Sequence, residues 1–294
     1  MDARAAEQPA IGQNNSTSDR AIIRIPAVIR FGFQTISRIS PKLAAEAARQ
    51  IFFRPPRVAY RGEQHAVLAN AQQGFLDLRK GRVRVYCWGD GPAVLLLHGW
   101  GGHSGQMTEF VAPLTKAGYR IVAIDAPAHG QSSGRLSSII HFADAIAAAA
   151  SSAGPLHAII AHSLGTTAAV HALTNGLTVR RAVFLAPQAR LTGYWQAFRQ
   201  SLGMSEPVWQ RMTAISENWL KVRFADLHPA DIAPRMKTPV LILHGTSDRM
   251  TPVAQGKELA ALWPDAEFQA VEAGHLSILR DWRVVLSSLE FIKG

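Results

Sequence analysis

The chain has 294 residues, 48% of them hydrophobic and 18% charged, a balance that supports a folded core and excludes a largely disordered polypeptide. A chain of this size can bury one large core, so one catalytic domain with an appendage is the expected organisation. The single cysteine, Cys87, excludes an internal disulfide, and the net charge of +10 is concentrated at one end, where residues 1–61 hold ten Lys or Arg against four Asp or Glu.

Residues 1–19 read as a disordered polar tip and residues 20–60 as a basic amphipathic segment, helical over 20–52 and ending before the breaker pair Pro55-Pro56. Arg24, Arg30, Arg38, Lys42, Arg49, Arg54 and Arg57 alternate there with Ile, Val and Phe. Two readings fit this composition: the apolar residues pack on the catalytic domain, or the segment makes peripheral contact with an anionic membrane through residues 20–57. Nucleic acid is not an expected partner. Arg24 and Arg30 interrupt the most apolar run well short of the ~20 residues a bilayer span requires, and the polar first twenty residues do not resemble a secretory signal. The expected location is cytoplasmic, with association at a membrane surface allowed.

The catalytic domain is expected over 61–294. GFLDLRKGRVRVYCWGDG alternates apolar and polar residues around Lys80-Gly81, as a β-hairpin does. Short apolar runs follow at 93–97, 121–124, 157–161, 182–185, 240–243 and 267–271, separated by helix-like stretches at 106–116, 138–152, 166–175, 253–262 and 281–292. Unbroken Val/Ile/Leu runs suit parallel strands covered on both faces, and their alternation with helices implies right-handed crossovers. The interval 187–237 is too long for a bare loop and is expected to form a helical cap, with Trp195, Phe198, Leu202, Met204, Val208, Trp209, Met212, Trp219 and Leu220 as its apolar residues.

In an open parallel sheet, reactive groups gather at the carboxyl ends of the strands. IIAHSLGTTAA places Ser163 directly after such a strand and before a helix, with the small residues Ala161 and Gly165 on either side, as a tight strand-to-helix turn that exposes a hydroxyl requires. A serine capping a helix gives similar letters, so this motif does not decide alone. Its partners do more. Asp248 follows the run at 240–243 and His275 follows the run at 267–271, in the chain order Ser, Asp, His. A serine hydroxyl needs an imidazole to take its proton, and the imidazole needs a carboxylate to fix its tautomer. The glycine-rich loop of LLLHGWGG, at 95–102, offers the N–H of Trp100 beside that of Leu164 as donors to a developing oxyanion.

HGWGG, DAPAHGQSSG, AHSLG, GTSDRMTP and AGH together resemble the successive signatures of the α/β-hydrolase superfamily over about residues 74–294. The resemblance implies an α/β-hydrolase fold, with a mostly parallel eight-stranded sheet flanked by helices and a short helical cap after the sixth strand. It also implies a Ser163–Asp248–His275 triad and an oxyanion hole at Trp100 and Leu164. Ala161 and Ala128 depart from the pattern, which often has Gly at both places. With Ser at the elbow, acyl chemistry is expected: a serine esterase acting on a small apolar ester, or a related thioester, through an acyl-enzyme. No cofactor and no metal are expected. The glycine-rich segment 99–105 only superficially resembles a dinucleotide fingerprint, and the histidines at 98, 129, 162 and 244 are expected to hold loops by hydrogen bonds. A non-catalytic binding module on the same fold and an acyltransferase are the alternatives. Removal of residues 1–52 is expected to weaken vesicle binding without abolishing hydrolysis.

Overall fold

The computed structural model describes residues 25–294; the tip expected at 1–19 and the start of the basic segment lie outside the described residues. The strands are β1 (Gln72–Asp77), β2 (Arg82–Trp88), β3 (Ala93–Leu97), β4 (Arg120–Ile124), β5 (Leu156–His162), β6 (Val179–Leu185), β7 (Val240–Gly245) and β8 (Ala266–Val271). They form one sheet in the order β1-β2-β4-β3-β5-β6-β7-β8. β1 and β2 make the expected hairpin and β2 runs antiparallel to β4, while every pair from β4 to β8 is parallel. Each apolar run in the sequence has become a strand of this sheet.

The helices are α1 (Ala27–Ile39), α2 (Pro41–Phe52), α3 (Gly62–Ala69), α4 (Val111–Lys116), α5 (Ile139–Ala153), α6 (Leu164–Thr174), α7 (Thr192–Leu202), α8 (Glu206–Leu220), α9 (Pro229–Ile232), α10 (Val253–Leu262) and α11 (Trp282–Lys293). Alternate side chains of the central strands enter two cores. Leu95, Leu97, Ile159, Phe184 and Ile242 pack with residues of α5, α6 and α10. Val94, Leu96, Ile160, Val183 and Leu241 pack with residues of α4 and α11 on the other face. Burial on both faces is why these strands read as unbroken apolar runs and not as alternating ones.

Two local features differ from the sequence reading. The helix expected from 106 begins as a 3-10 turn, Ser104–Phe110, before α4. Helix α3 was not foreseen, because it starts at Gly62 and buries only Leu68; Gln64 Oε1 caps it by accepting the Arg61 N–H at 2.9 Å.

The insertion between β6 and β7 is helical, with α7 and α8 as its main elements. Helix α2 lies along α8, and α1 lies against α2 and α7. Phe33, Ala44, Ala45 and Ala48 share a small core with Phe198, Leu202, Met204, Val208 and Met212. The inner face of the basic segment therefore packs on the body. Cutting the chain after residue 52 would expose the apolar inner faces of α7 and α8.

Candidate active site

Ser163 occupies the turn between β5 and α6 with φ 51° and ψ −124°, a conformation that a residue with a side chain adopts only at a cost. The turn holds because its N–H donates to the Leu185 carbonyl at 2.9 Å and its own carbonyl accepts from Thr166 Oγ1 at 2.6 Å. A Cβ added to Gly165 would lie 2.5 Å from the His98 carbonyl oxygen, and one added to Gly99 would lie 2.9 Å from Ser163 Cβ. Only glycine allows those approaches. Of the two departures, Ala161 is a fully buried strand residue, and Ala128 has φ 66°, the left-handed region in which glycine is favoured.

The loops after β7 and β8 bring the partners to this turn. His275 Nδ1 lies 2.7 Å from Asp248 Oδ2, and its Nε2 lies 3.0 Å from Ser163 Oγ. With Nδ1–H donating to the carboxylate, Nε2 is left to accept the Ser163 hydroxyl. Asp248 Oδ1 accepts the N–H groups of Met250 and Thr251, each at 2.8 Å. Burial by itself would raise the Asp248 pKa, but His244, His275 and the Thr251 N–H hold it well below the usual carboxylate range, so it stays ionised. Trp100 lies in the loop after β3, and Leu164 is the first residue of α6. Neither N–H donates to a protein acceptor among the described residues. Ser163, Asp248, His275, Trp100 and Leu164 thus meet at one edge of the sheet.

The four buried histidines hold loops, as expected. His98 donates from Nδ1 to Gly99 O at 2.7 Å and accepts the Ala126 N–H at Nε2 at 3.0 Å, tying the loop after β3 to the one after β4. His129 donates to Pro127 O, and His244 Nε2 donates to Thr251 O at 2.8 Å. His162 donates from Nε2 to the His275 carbonyl. Its Nδ1 is buried without a partner among the described residues.

Buried Asp125 accepts the Ser104 N–H and hydroxyl at 2.7 Å each, the Gln131 N–H at 2.9 Å and the Tyr60 hydroxyl at 2.5 Å, binding three residues at one carboxylate. Arg57 donates to the carbonyls of Ser132 and Gly134, and Pro56 abuts Gly101. The chain before α3 is therefore fastened across the glycine-rich loop.

Above Ser163 is a cavity of about 590 Å³. Ser163, Leu164, Trp100 and His275 line it together with Phe52 and Phe53 from the N-terminal segment and Leu191, Tyr194, Trp195, Leu220 and Phe224 from the insertion. Exposed Arg61, Arg249 and Arg280 stand where it meets solvent. Among the insertion's apolar residues, Trp195 and Leu220 reach the cavity, while Phe198, Leu202, Met204, Val208 and Met212 face the N-terminal helices. No sequence pattern singled out Phe52 and Phe53 as wall residues, because their ring partners Tyr194, Phe198, Trp219 and Phe224 are over 130 positions away.

The chain is 29% identical over 248 residues to a pimeloyl-[acyl-carrier protein] methyl ester esterase of Chromobacterium violaceum, covering 69% of this chain and 96% of that protein. It is 25% identical over 236 residues to a 2-hydroxy-6-oxo-6-phenylhexa-2,4-dienoate hydrolase of Delftia acidovorans, covering 63% and 82%. Among solved structures, an esterase of Pyrococcus furiosus superposes with a TM-score of 0.62 at 18% identity, over 81% of this chain and 98% of that one. Residues 94–287 match the model of the alpha/beta hydrolase family, and this match spans the Ser163 turn and both partner loops. The chain belongs to the alpha/beta hydrolase family.

Proposed function

We propose that the protein is a serine hydrolase that cleaves a carboxylic ester, or a related thioester, through an acyl-enzyme on Ser163. The observation that carries this reading is the continuous relay from Asp248 Oδ2 to His275 Nδ1 at 2.7 Å and from His275 Nε2 to Ser163 Oγ at 3.0 Å, at the floor of a cavity. The relatives named as an esterase and a hydrolase agree with it.

The Ser163 hydroxyl passes its proton to His275 Nε2 as its oxygen attacks the acyl carbon. The carbonyl oxygen becomes an oxyanion that the N–H groups of Trp100 and Leu164 stabilise. His275 then gives the proton to the departing alcohol, leaving the acyl group on Ser163. A water molecule loses a proton to the same Nε2, attacks the acyl-enzyme, and the acid leaves as Ser163 recovers its hydrogen. Throughout, ionised Asp248 holds the ring tautomer and stabilises the imidazolium. The aromatic wall supports an apolar acyl or alcohol group.

A fluorophosphonate probe, with Ser163→Ala as control, followed by a panel of esters, thioesters and amides, tests the proposal. Labelling confined to wild type and turnover of apolar esters are expected. An unlabelled wild type would leave a binding module, and products formed only with an added alcohol or amine acceptor would leave an acyltransferase.

A further inference from the structure

Helix α1 presents two faces. The inner one carries buried Phe33 into the core shared with α7 and α8. On the outer one, Val28 is 77% exposed, Phe31 73% and Ile39 78%, and Leu43, just beyond the Ser40 break, is 63% exposed. Positions 28, 31 and 39 fall on one side of the helix, with Thr35 between them, so the exposed apolar groups form one stripe and not scattered points. Leaving large side chains of this kind in water forfeits the free energy of their burial, and among the described residues nothing covers them.

The charges beside the stripe have one sign. Between positions 20 and 45 the sequence holds Arg20, Arg24, Arg30, Arg38 and Lys42 and no Asp or Glu. Of these, Arg30, Arg38 and Lys42 are exposed on α1 and α2. A second copy of the chain seated on the same face would bring like charges together, because the neighbouring acid on α2, Glu46, is already paired with Arg49. An anionic surface that also accepts apolar side chains satisfies both features. We propose that the α1–α2 face docks on the surface of an anionic lipid bilayer, with Val28, Phe31, Ile39 and Leu43 inserted between headgroups and Arg38 and Lys42 paired with lipid phosphates. No helix among the described residues is long and apolar enough to span a membrane, which fits contact at the interface. Because α1 and α2 pack on α7 and α8, the docked face belongs to the same body of helices that walls the cavity.

Co-sedimentation of the full chain with phosphatidylcholine vesicles, and with the same vesicles doped with phosphatidylglycerol, at low and high salt, tests the docking. Wild type is expected to bind the doped vesicles, more weakly at high salt. Val28→Glu/Phe31→Glu/Ile39→Glu and Arg38→Glu/Lys42→Glu are each expected to lower that binding about tenfold or more. These side chains lie on the surface away from Ser163, so thermal melting and turnover of a soluble ester are expected to match wild type. Equal binding to both vesicle types, or unchanged binding by the triple variant, overturns the proposal. So does a dimer in analytical ultracentrifugation that the triple variant splits, with no vesicle binding by either protein.

Discussion

The side chain of His162 donates from Nε2 to the main-chain carbonyl of His275 at 2.9 Å, so the residue immediately before the serine holds the backbone of the imidazole that faces it. The two rings lie with centroids 4.8 Å apart. Its hydrogen bond goes to the main chain of His275 and not to the ring nitrogens, so it sets where the His275 loop sits. Replacing it with leucine removes the donor at similar bulk. His162→Leu is expected to lower kcat about tenfold to a hundredfold with little change in KM, and His162→Gln to recover part of the loss. Equal losses in both variants, tracking their melting temperatures, would reduce His162 to a packing residue.

Asp248 can be altered without emptying its place. Asp248→Asn keeps the shape but turns the amide's N–H toward His275, which favours the ring tautomer with Nε2 protonated. Turnover is expected to fall roughly 10³- to 10⁴-fold, while slow fluorophosphonate labelling of Ser163 persists. Steady-state kinetics beside a labelling time course would separate this from loss of fold.

Acid should unfold the protein earlier than its carboxylates alone would. Burial lowers the pKa of His98 to about 4 and those of His129 and His162 to about 3. In the unfolded chain each returns to about 6.5. Between these limits the unfolded state binds more protons, so stability rises with pH, is complete above the unfolded value and falls as pH drops through the window. Each histidine contributes a slope of about 1.4 kcal/mol per pH unit well inside it. Urea midpoints are expected to drop markedly from about pH 7.5 to about pH 5; a flat profile would contradict neutral buried rings.

Phe53 joins the N-terminal segment to the insertion by an edge contact with Trp219, ring centroids 5.0 Å apart, while also lining the cavity. Phe53→Ala is expected to cost about 3 kcal/mol of stability or more. The space released should move the preferred ester toward longer acyl chains, read as a shift of kcat/KM along a p-nitrophenyl series. An unchanged chain-length profile would place the acyl group elsewhere in the cavity.

Much of this geometry was legible from the residues. β3 coincides with the run at 93–97, and α10 with the stretch at 253–262, because doubly covered strands and well-bounded helices leave strong local patterns. Ser163, Asp248 and His275 were legible because each follows a strand in an order that brings the three together. Asp125 was not recognised as a structural node, since a single acid after a strand says nothing of the Tyr60 hydroxyl 65 positions earlier that shares its oxygen. Nor was the inner face of the basic segment distinguishable from its outer one: Phe31 and Phe33 are neighbours in sequence, yet one is exposed and the other buried against α7 and α8. Local periodicity marks a helix as two-sided, and only the partner decides which side is which.

Much of the apolar part of the cavity wall comes from two pieces of chain, Phe52 and Phe53 before the sheet begins and Leu191 to Phe224 between two of its strands. Neither piece carries the hydroxyl, the imidazole or the carboxylate. A new side chain at 52 or 53 can therefore redraw the mould into which a substrate must fit while the strands that aim the reacting atoms stay as they are. Under the proposed function, selectivity and chemistry are thus placed on separate stretches of polypeptide.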